Sequence, residues 1–324
     1  IPKSLLQKIS LFCDVQEDAV IPAVTADTIY QVPLDLEKYH LMSIIAKKMR
    51  LRRKNPKTSE WRSMVSRIKN AKGVLRIGMA GKYTELDDAY LSVNESIKAA
   101  SFSHGYKPDI IWIDTEKLEK GSEEELKRLH SVDGIIVPGG FGKRGVEGKV
   151  MVATYAREKK IPYLGLCLGV QIMTIEFARS VAGLIGATSQ EFDPKAEHQV
   201  IRFLPGQSDE KSKGGTLRLG SHPCVISKGT LAYRCYRKTL IQERHRHRYE
   251  IPMNGNPYTE ILQNKGLCFS GLSPDGTLAE IVEIPGHPFM IGSQFHPEFL
   301  SRPDRPHPLF AGLMKAILRK KKTR

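Results

Sequence analysis

Residues 71–314 predict an α/β fold: an open, mostly parallel sheet covered by helices on both faces, with antiparallel strands added. Three observations carry this. Apolar runs of strand length alternate with segments of helical spacing from residue 74 to residue 183. Those runs are apolar throughout, as strands buried on both faces are. After residue 198 the alternation gives way to short runs joined by turn residues, the pattern of antiparallel strands.

In order, VLRIGMAGKY (74–83) is an apolar run ending near glycine and reads as a strand. DAYLSVNESIKAASFSHG (88–105) has helical spacing and stops at Gly105. PDIIWID (108–114) is a strand and SEEELKRLH (122–130) a helix. VDGIIVPGGFG (132–142) runs from strand into a glycine loop, and VEGKVMVATYAREKK (146–160) is a helix. IPYLGLC (161–167) is a strand and LGVQIMTIEFARSVAG (168–183) a helix. HQVIRFLPG, GTLRLGSHPC and TLAYRCYRKTLI read as strands and turns. FSGLSPDGTLAEIVEI and FMIGSQFHPEF read as late strands joined by a Pro-Asp-Gly turn.

Upstream, ISLFCDV, DAVIPAV and TADTIYQVPLDLEKYHL (within 1–38 and its border) read as strand pieces and a short helix, too small to form a core of their own. Residues 39–70 look helical on either side of Asn55-Pro56, where Pro56 breaks the pattern, and read as a basic linker that could be poorly ordered.

Of 324 residues, 40% are hydrophobic and 26% charged, an ordinary globular composition that excludes a collagen, a rod or a disordered chain. Five unclustered cysteines, Cys13, Cys167, Cys224, Cys235 and Cys268, argue against a disulfide framework and suit a reducing, cytoplasmic setting. No apolar run approaches the roughly 20 residues of a membrane span, and the first residues lack a signal-peptide pattern. The net charge of +15 is local. Residues 39–70 hold ten basic and one acidic side chain and residues 315–324 six basic and none acidic, while the long middle region is nearly neutral. Runs of this kind are usually solvated, so nucleic acid is not an expected partner.

The chemistry concentrates in three places. Gly165-Leu166-Cys167-Leu168-Gly169 joins a strand to a helix through a turn whose flanks leave no room for side chains. That turn sets Cys167 at a helix N-terminus, where the partial positive charge favours a thiolate; the competing reading is an inert core cysteine. His296 and Glu298 are two apart on an extended chain and share a side, so the carboxylate can hold the imidazole while it exchanges protons with Cys167. Alone, that pair would read as a surface turn. Pro138-Gly139-Gly140-Phe141-Gly142 follows a strand, and the Gly140 and Leu168 amides can hold an oxyanion between them. A phosphate loop or a plain turn competes there, although no Gly-Lys-Ser/Thr follows. His245 and His247 share one strand face, but no cysteine or acidic cluster completes a site, so no metal is expected. Cys224, Cys235 and Cys268 read as packing residues.

Glycine loop, cysteine elbow and late His-x-Glu, in this order, resemble the class I (triad) glutamine amidotransferases, whose fold is a flavodoxin-like open α/β sheet. The likeness narrows to the branch that makes CTP. GKYTELDDAYLSVNESIKAA (81–100), VPGGFGKRGVEGK (137–149), IPYLGLCLGVQ (161–171), GGTLRLG (214–220), ERHRHRYE (243–250), FHPEFLSRP (295–303) and HPLFAG (307–312) look like its glutaminase domain. KISLFCDV and TIYQVPL look like the end of its amidoligase domain. The resemblance implies an amidoligase remnant over 1–38, a linker over 39–70, an amidotransferase domain over 71–314 and a basic tail over 315–324.

It also implies roles. Cys167, His296 and Glu298 form the triad, and the Gly140 and Leu168 amides hold the oxyanion. Glutamine is bound by Gly140, Leu168, Gly169, Val170, Gln171, Glu191 and Arg248, with Glu191 on its ammonium and Arg248 contributing backbone as well as side chain. In the branch, ammonia passes to the amidoligase domain, where ATP and Mg activate UTP, GTP activates the glutaminase half, and the enzyme is a homotetramer. No phosphate-binding glycine loop with lysine occurs in this chain, so it is expected to hold no cofactor and to make at most glutamate and ammonia. Another triad amidotransferase, feeding GMP or carbamoyl phosphate synthesis, is a weaker match, and a non-catalytic regulatory module with the same fold is the alternative from another class.

Overall fold

A computed structural model describes residues 1–52, 57–82, 87–203 and 218–323. The Asn55-Pro56 break and all of the 214–220 motif except Arg218–Gly220 lie outside the described residues. The contacts divide the chain into two compact units, Ile1–Asn70 and Ala71–Arg324.

The first unit is helical: α1 (Lys3–Phe12), α2 (Val32–Lys38), α3 (Leu41–Lys48) and α4 (Ser59–Lys69). The strand pieces expected in residues 1–38 are absent from its described residues. ISLF belongs to α1, where Leu5, Leu6 and Ile9 recur at helical spacing once the preceding KSLLQK is included. Pro33 sits in the first turn of α2, where its missing N–H costs nothing. The Trp61 indole on α4 donates to the Tyr30 carbonyl at 2.7 Å, and Arg62 pairs with Glu37 at 2.6 Å.

The second unit is built on β1 (Val74–Gly81), β2 (Lys107–Asp114), β3 (Gly134–Val137), β4 (Tyr163–Leu166), β5 (Thr188–Ser189), β6 (Gln199–Phe203), β7 (Arg218–Ile226), β8 (Leu240–His247), β9 (Tyr249–Pro252), β10 (Cys268–Leu272), β11 (Leu278–Glu283) and β12 (Met290–Ser293). The main sheet runs β2-β1-β3-β4-β12-β11-β10-β7-β8. From β2 to β12 every neighbouring pair is parallel, and from β12 onward every pair is antiparallel. This is the open α/β sheet with added antiparallel strands that the sequence predicts.

Two hydrophobic cores lie on its two faces. One gathers side chains of α6 (Thr115–Glu119), α7 (Glu123–His130), α8 (Val146–Glu158), α9 (Leu168–Ser180) and α11 (Pro257–Asn264). The other gathers α5 (Leu91–Ser103), α10 (Leu231–Tyr236) and α12 (Pro308–Lys322). Strands between two such layers expose no polar face, hence their unbroken apolar sequence. Two local readings differ. LAYRCY, read as strand and turn, is α10. Its N-cap Thr230 accepts from Tyr233 N–H, and the Glu283 carboxylate, 51 residues away, accepts from Leu231 and Ala232 N–H at 2.7 and 3.0 Å. Thr230 is the local part of that cap, while the part supplied by a distant strand leaves no local sequence signal. Residues 315–322, set apart by their charge, continue α12 without a break, and Ile317 is fully buried.

Candidate active site

Strands β3, β4 and β12 are neighbours, and each delivers one predicted motif from its carboxyl end. Val137 is registered with Gly165, and Leu166 with Ser293. The glycine loop, Cys167 and the Gln294–Glu298 segment therefore leave the sheet side by side, although more than 150 residues of chain separate the first from the last. In an open α/β sheet that edge is where ligands bind.

Cys167 has φ +50° and ψ −101°, a sparsely populated conformation for a non-glycine residue, at the N-terminus of α9. The surroundings enforce it. Its N–H donates to the Ser293 carbonyl at 2.7 Å. A Cβ on Gly165 would lie 2.5 Å from the Gly169 carbonyl, and a Cβ on Gly169 would lie 2.1 Å from the Val137 oxygen. Backbone meets backbone at both points, which only glycine permits. The Tyr163 hydroxyl donates to the Gly169 carbonyl at 2.8 Å from beneath.

His296 Nδ1 lies 2.7 Å from Glu298 Oε1, and both side chains are nearly buried. Among the described residues His296 Nε2 meets no partner at ordinary hydrogen-bond geometry, although the Cys167 thiol is near enough to interact with the ring. A Cβ on Gly139 would sit 2.9 Å from His296 Cε1 and 3.5 Å from Cys167 Cβ, so ring and cysteine border a common point. Burial works against charge on His296, but Cys167 and Glu298 outweigh it, and the imidazole is raised well above its ordinary value. Phe299 stacks on the ring, with centroids 5.1 Å apart and planes 18° from parallel.

Cys167, His296, Glu298 and Gly140 line one cleft of about 320 Å³, with Tyr90, Ser92, Gly139, Phe141 and Arg246 among its other walls. That volume suits a small molecule. Leu168 adjoins Gly140, its Cδ2 3.4 Å from where a Gly140 Cβ would be. Its amide belongs to the first turn of α9, whose N–H groups have no partner within the helix. Gly169 and Val170 pack beneath the elbow, Val170 against Gly292. Glu191 meets the glycine loop, its Oε1 accepting from Gly142 N–H at 2.6 Å. Lys82 donates to the Phe141 carbonyl and ties the loop from the other side.

Gln171 and Arg248 are placed differently from Cys167. Gln171 is buried and donates to the Tyr249 carbonyl at 3.2 Å and to Gln294 Oε1 at 3.1 Å. Arg248 is half-buried at the junction of β8 and β9, while Arg246 is the β8 residue that lines the cleft. Two site residues escaped the sequence reading. Gln294 Nε2 lies 3.7 Å from Cys167 Sγ. Its signal was its place in a period of two with His296 and Glu298. Arg246 had none beyond the alternation of β8.

That alternation buries Glu243, His245 and His247 and exposes Arg244 and Arg246. His245 Nδ1 and His247 Nε2 hydrogen-bond to each other at 2.8 Å. Arg218 lies 2.7 Å from Glu280 and 3.2 Å from Glu250. One guanidinium neutralises one carboxylate. Burial first, then Glu280, pushes Glu250 up to about 8 against the pull of Arg218. Burial, with Arg218 and His296 nearby, pushes His247 down to about 3.

Residues 85–316 match the family described as glutamine amidotransferase class-I, and residues 1–51 match the CTP synthase N-terminus. Proteins named CTP synthase from Pelotomaculum thermopropionicum and Methanocaldococcus jannaschii are 50% and 49% identical over 322 and 326 residues. Each match covers 99% of this chain, and 59% and 60% of the respective relative. The chain thus spans about three fifths of the length of these relatives. The glutaminase domain of Trypanosoma brucei CTPS, solved with bound acivicin, is 38% identical with a TM-score of 0.69, covering 76% of this chain and 94% of that one. With the elbow, the glycine loop and the His-x-Glu pair on adjacent strands, the chain belongs to the class I glutamine amidotransferases, in the CTP synthase branch of that family.

Proposed function

We propose that residues 71–314 hydrolyse glutamine to glutamate and ammonia. The observation that carries this is the buried His296–Glu298 pair at 2.7 Å, whose ring interacts with Cys167 in the cleft that both line. Cys167 sulfur attacks the side-chain amide carbon of glutamine. A C–S bond forms, and the carbonyl electrons become an oxyanion held by the Gly140 and Leu168 amides. As the oxyanion collapses the C–N bond breaks, and the His296 imidazolium gives its proton to the leaving nitrogen, which departs as ammonia. Water, deprotonated by His296, adds to the thioester; the C–S bond breaks and glutamate leaves. Glu298 holds the imidazole and balances its charge throughout.

Glutamine is held by Gly140, Leu168, Gly169, Val170 and Gln171 along the elbow, by Glu191 through its ammonium, and by Arg248 through backbone and side chain. The acivicin found in the trypanosomal relative supports a small amino-acid-like ligand here. In the whole protein the ammonia aminates UTP to CTP at an amidoligase domain that uses ATP and Mg, GTP activates the glutaminase, and the assembly is a cytoplasmic homotetramer. The relatives' name and the match at residues 1–51 support the CTP-forming amidoligase part of this reading. No helix among the described residues is long and apolar enough to cross a membrane.

Ammonia release from glutamine in the presence of GTP, measured for this chain beside Cys167→Ala, tests the proposal. The variant is expected to fall to the blank. Equal release from both proteins removes Cys167 as the nucleophile.

A further inference from the structure

A relay of side-chain amides ends on the Cys167 sulfur, and elementary chemistry fixes its direction. The Tyr249 carbonyl can only accept, so the end of Gln171 that meets it at 3.2 Å is the NH2. The same nitrogen lies 3.1 Å from Gln294 Oε1, and its two hydrogens serve both contacts. With the Gln294 oxygen committed, its NH2 is at the other end, 3.7 Å from Cys167 Sγ. Turning either amide over would set like groups against each other, oxygen on oxygen at Tyr249 or NH2 on NH2 between the glutamines. Gln294 is fully buried, Gln171 is 3% exposed, and Gln294 N–H donates to the Glu280 carbonyl at 2.8 Å. Backbone placement, burial and neighbours therefore hold one orientation.

We propose that Gln294 is a catalytic residue whose amide donates to the Cys167 thiolate, holding it charged and aimed before glutamine arrives, with Gln171 as its positioning residue. An anionic sulfur accepts a hydrogen bond more strongly than a neutral thiol, so a fixed donor favours the reactive form. Glu298 acts at the far side of the imidazole and cannot do this. Gln171 then has a task besides contact with glutamine: it keeps the donor end of Gln294 on the sulfur. The proposal rests on Cys167 being the nucleophile.

Alkylation by iodoacetamide, followed by peptide mass spectrometry from about pH 5 to about pH 9, reads thiolate formation at each cysteine separately. Cys167 in the 324-residue chain is expected to react much faster than buried Cys224. In Gln294→Met, which keeps the bulk and removes the donor, the midpoint of the Cys167 profile is expected to rise by about one pH unit. On the acidic limb of the profile, below both midpoints, alkylation then slows about tenfold. Gln171→Leu, which frees the Gln294 amide to turn, moves the midpoint the same way by less. Cys224 staying unlabelled reports that each variant is folded. An unmoved midpoint in Gln294→Met overturns the proposal; if that variant exposes Cys224, an unmoved midpoint in Gln171→Leu does so. Cys167 labelling no faster than Cys224 in the unaltered chain overturns the nucleophile assignment instead.

Discussion

Glu298 does more than orient a ring. It stands 2.7 Å from His296 Nδ1, and with Cys167 it more than offsets the burial that opposes an imidazolium. Glu298→Gln keeps a hydrogen-bonding oxygen but removes the charge. The imidazolium then gives up its proton more readily, and the form that would protonate departing ammonia in the proposed mechanism is lost at lower pH. Glutaminase kcat is expected to fall about 10²-fold, with the basic limb of its pH profile displaced downward. A lowered kcat with the limb unmoved would leave Glu298 a purely geometric part. Cys167, His296 and Glu298 were legible as residues because strand-turn-helix chemistry and the two-residue period are local. The +50° φ of Cys167 and the Gln294 contact to its sulfur were not, since both depend on β12 lying beside β4.

Strands β7, β8, β9 and β11 bury an ionisable network beside the site, and its imidazoles are held neutral. His247 is pushed down to about 3 by burial, then by Arg218 and His296, with Glu250 3.4 Å from its Nδ1 and His245 2.8 Å from its Nε2. In the unfolded chain an imidazole takes up a proton near its ordinary value of about 6.5. Between that value and about 3 the unfolded state binds a proton that His247 in the native state refuses, so this histidine's share of stability falls in acid, while Glu250, raised to about 8, acts in the opposite direction. At pH 5 this amounts to about 2 kcal/mol relative to neutral pH. His247→Asn is expected to remove that share, so urea unfolding at the two pH values should differ by about 2 kcal/mol less than in the parent. Equal differences would place the proton elsewhere in the network. The alternation of β8 was visible in ERHRHRYE, and so was the shared face of its histidines. The partners on that face were not, because Arg218, Glu250 and Glu280 come from three other strands. In part for the same reason α10 was misread: besides Thr230, its first amides are capped by Glu283 on β11.

For the whole molecule, charge was a poor guide to boundaries and apolar spacing a better one. The basic run 315–322 looks like a solvated end, yet Leu309, Phe310, Leu313, Met314 and Ile317 recur at helical spacing and carry α12 through it. Lys320 donates to the Lys160 carbonyl at 2.8 Å and Lys321 pairs with Asp133 at 2.7 Å, while the cluster of cations complements the helix C-terminus. Cutting the chain at residue 314 would therefore strip part of the core on that face, Ala316 and Ile317 included. Among the described residues, the buried side chains of both hydrophobic cores run from Leu75 to Ile317, within the second compact unit. A protein of residues 71–324 is thus expected to unfold in urea as one cooperative transition, while one of residues 71–314 unfolds at markedly lower urea or without a sharp transition. Circular dichroism against urea distinguishes them. Cooperative unfolding of 71–314 at the same midpoint would show that the last turns of α12 add nothing, and a broad transition for 71–324 would show that the sheet needs the first unit to fold.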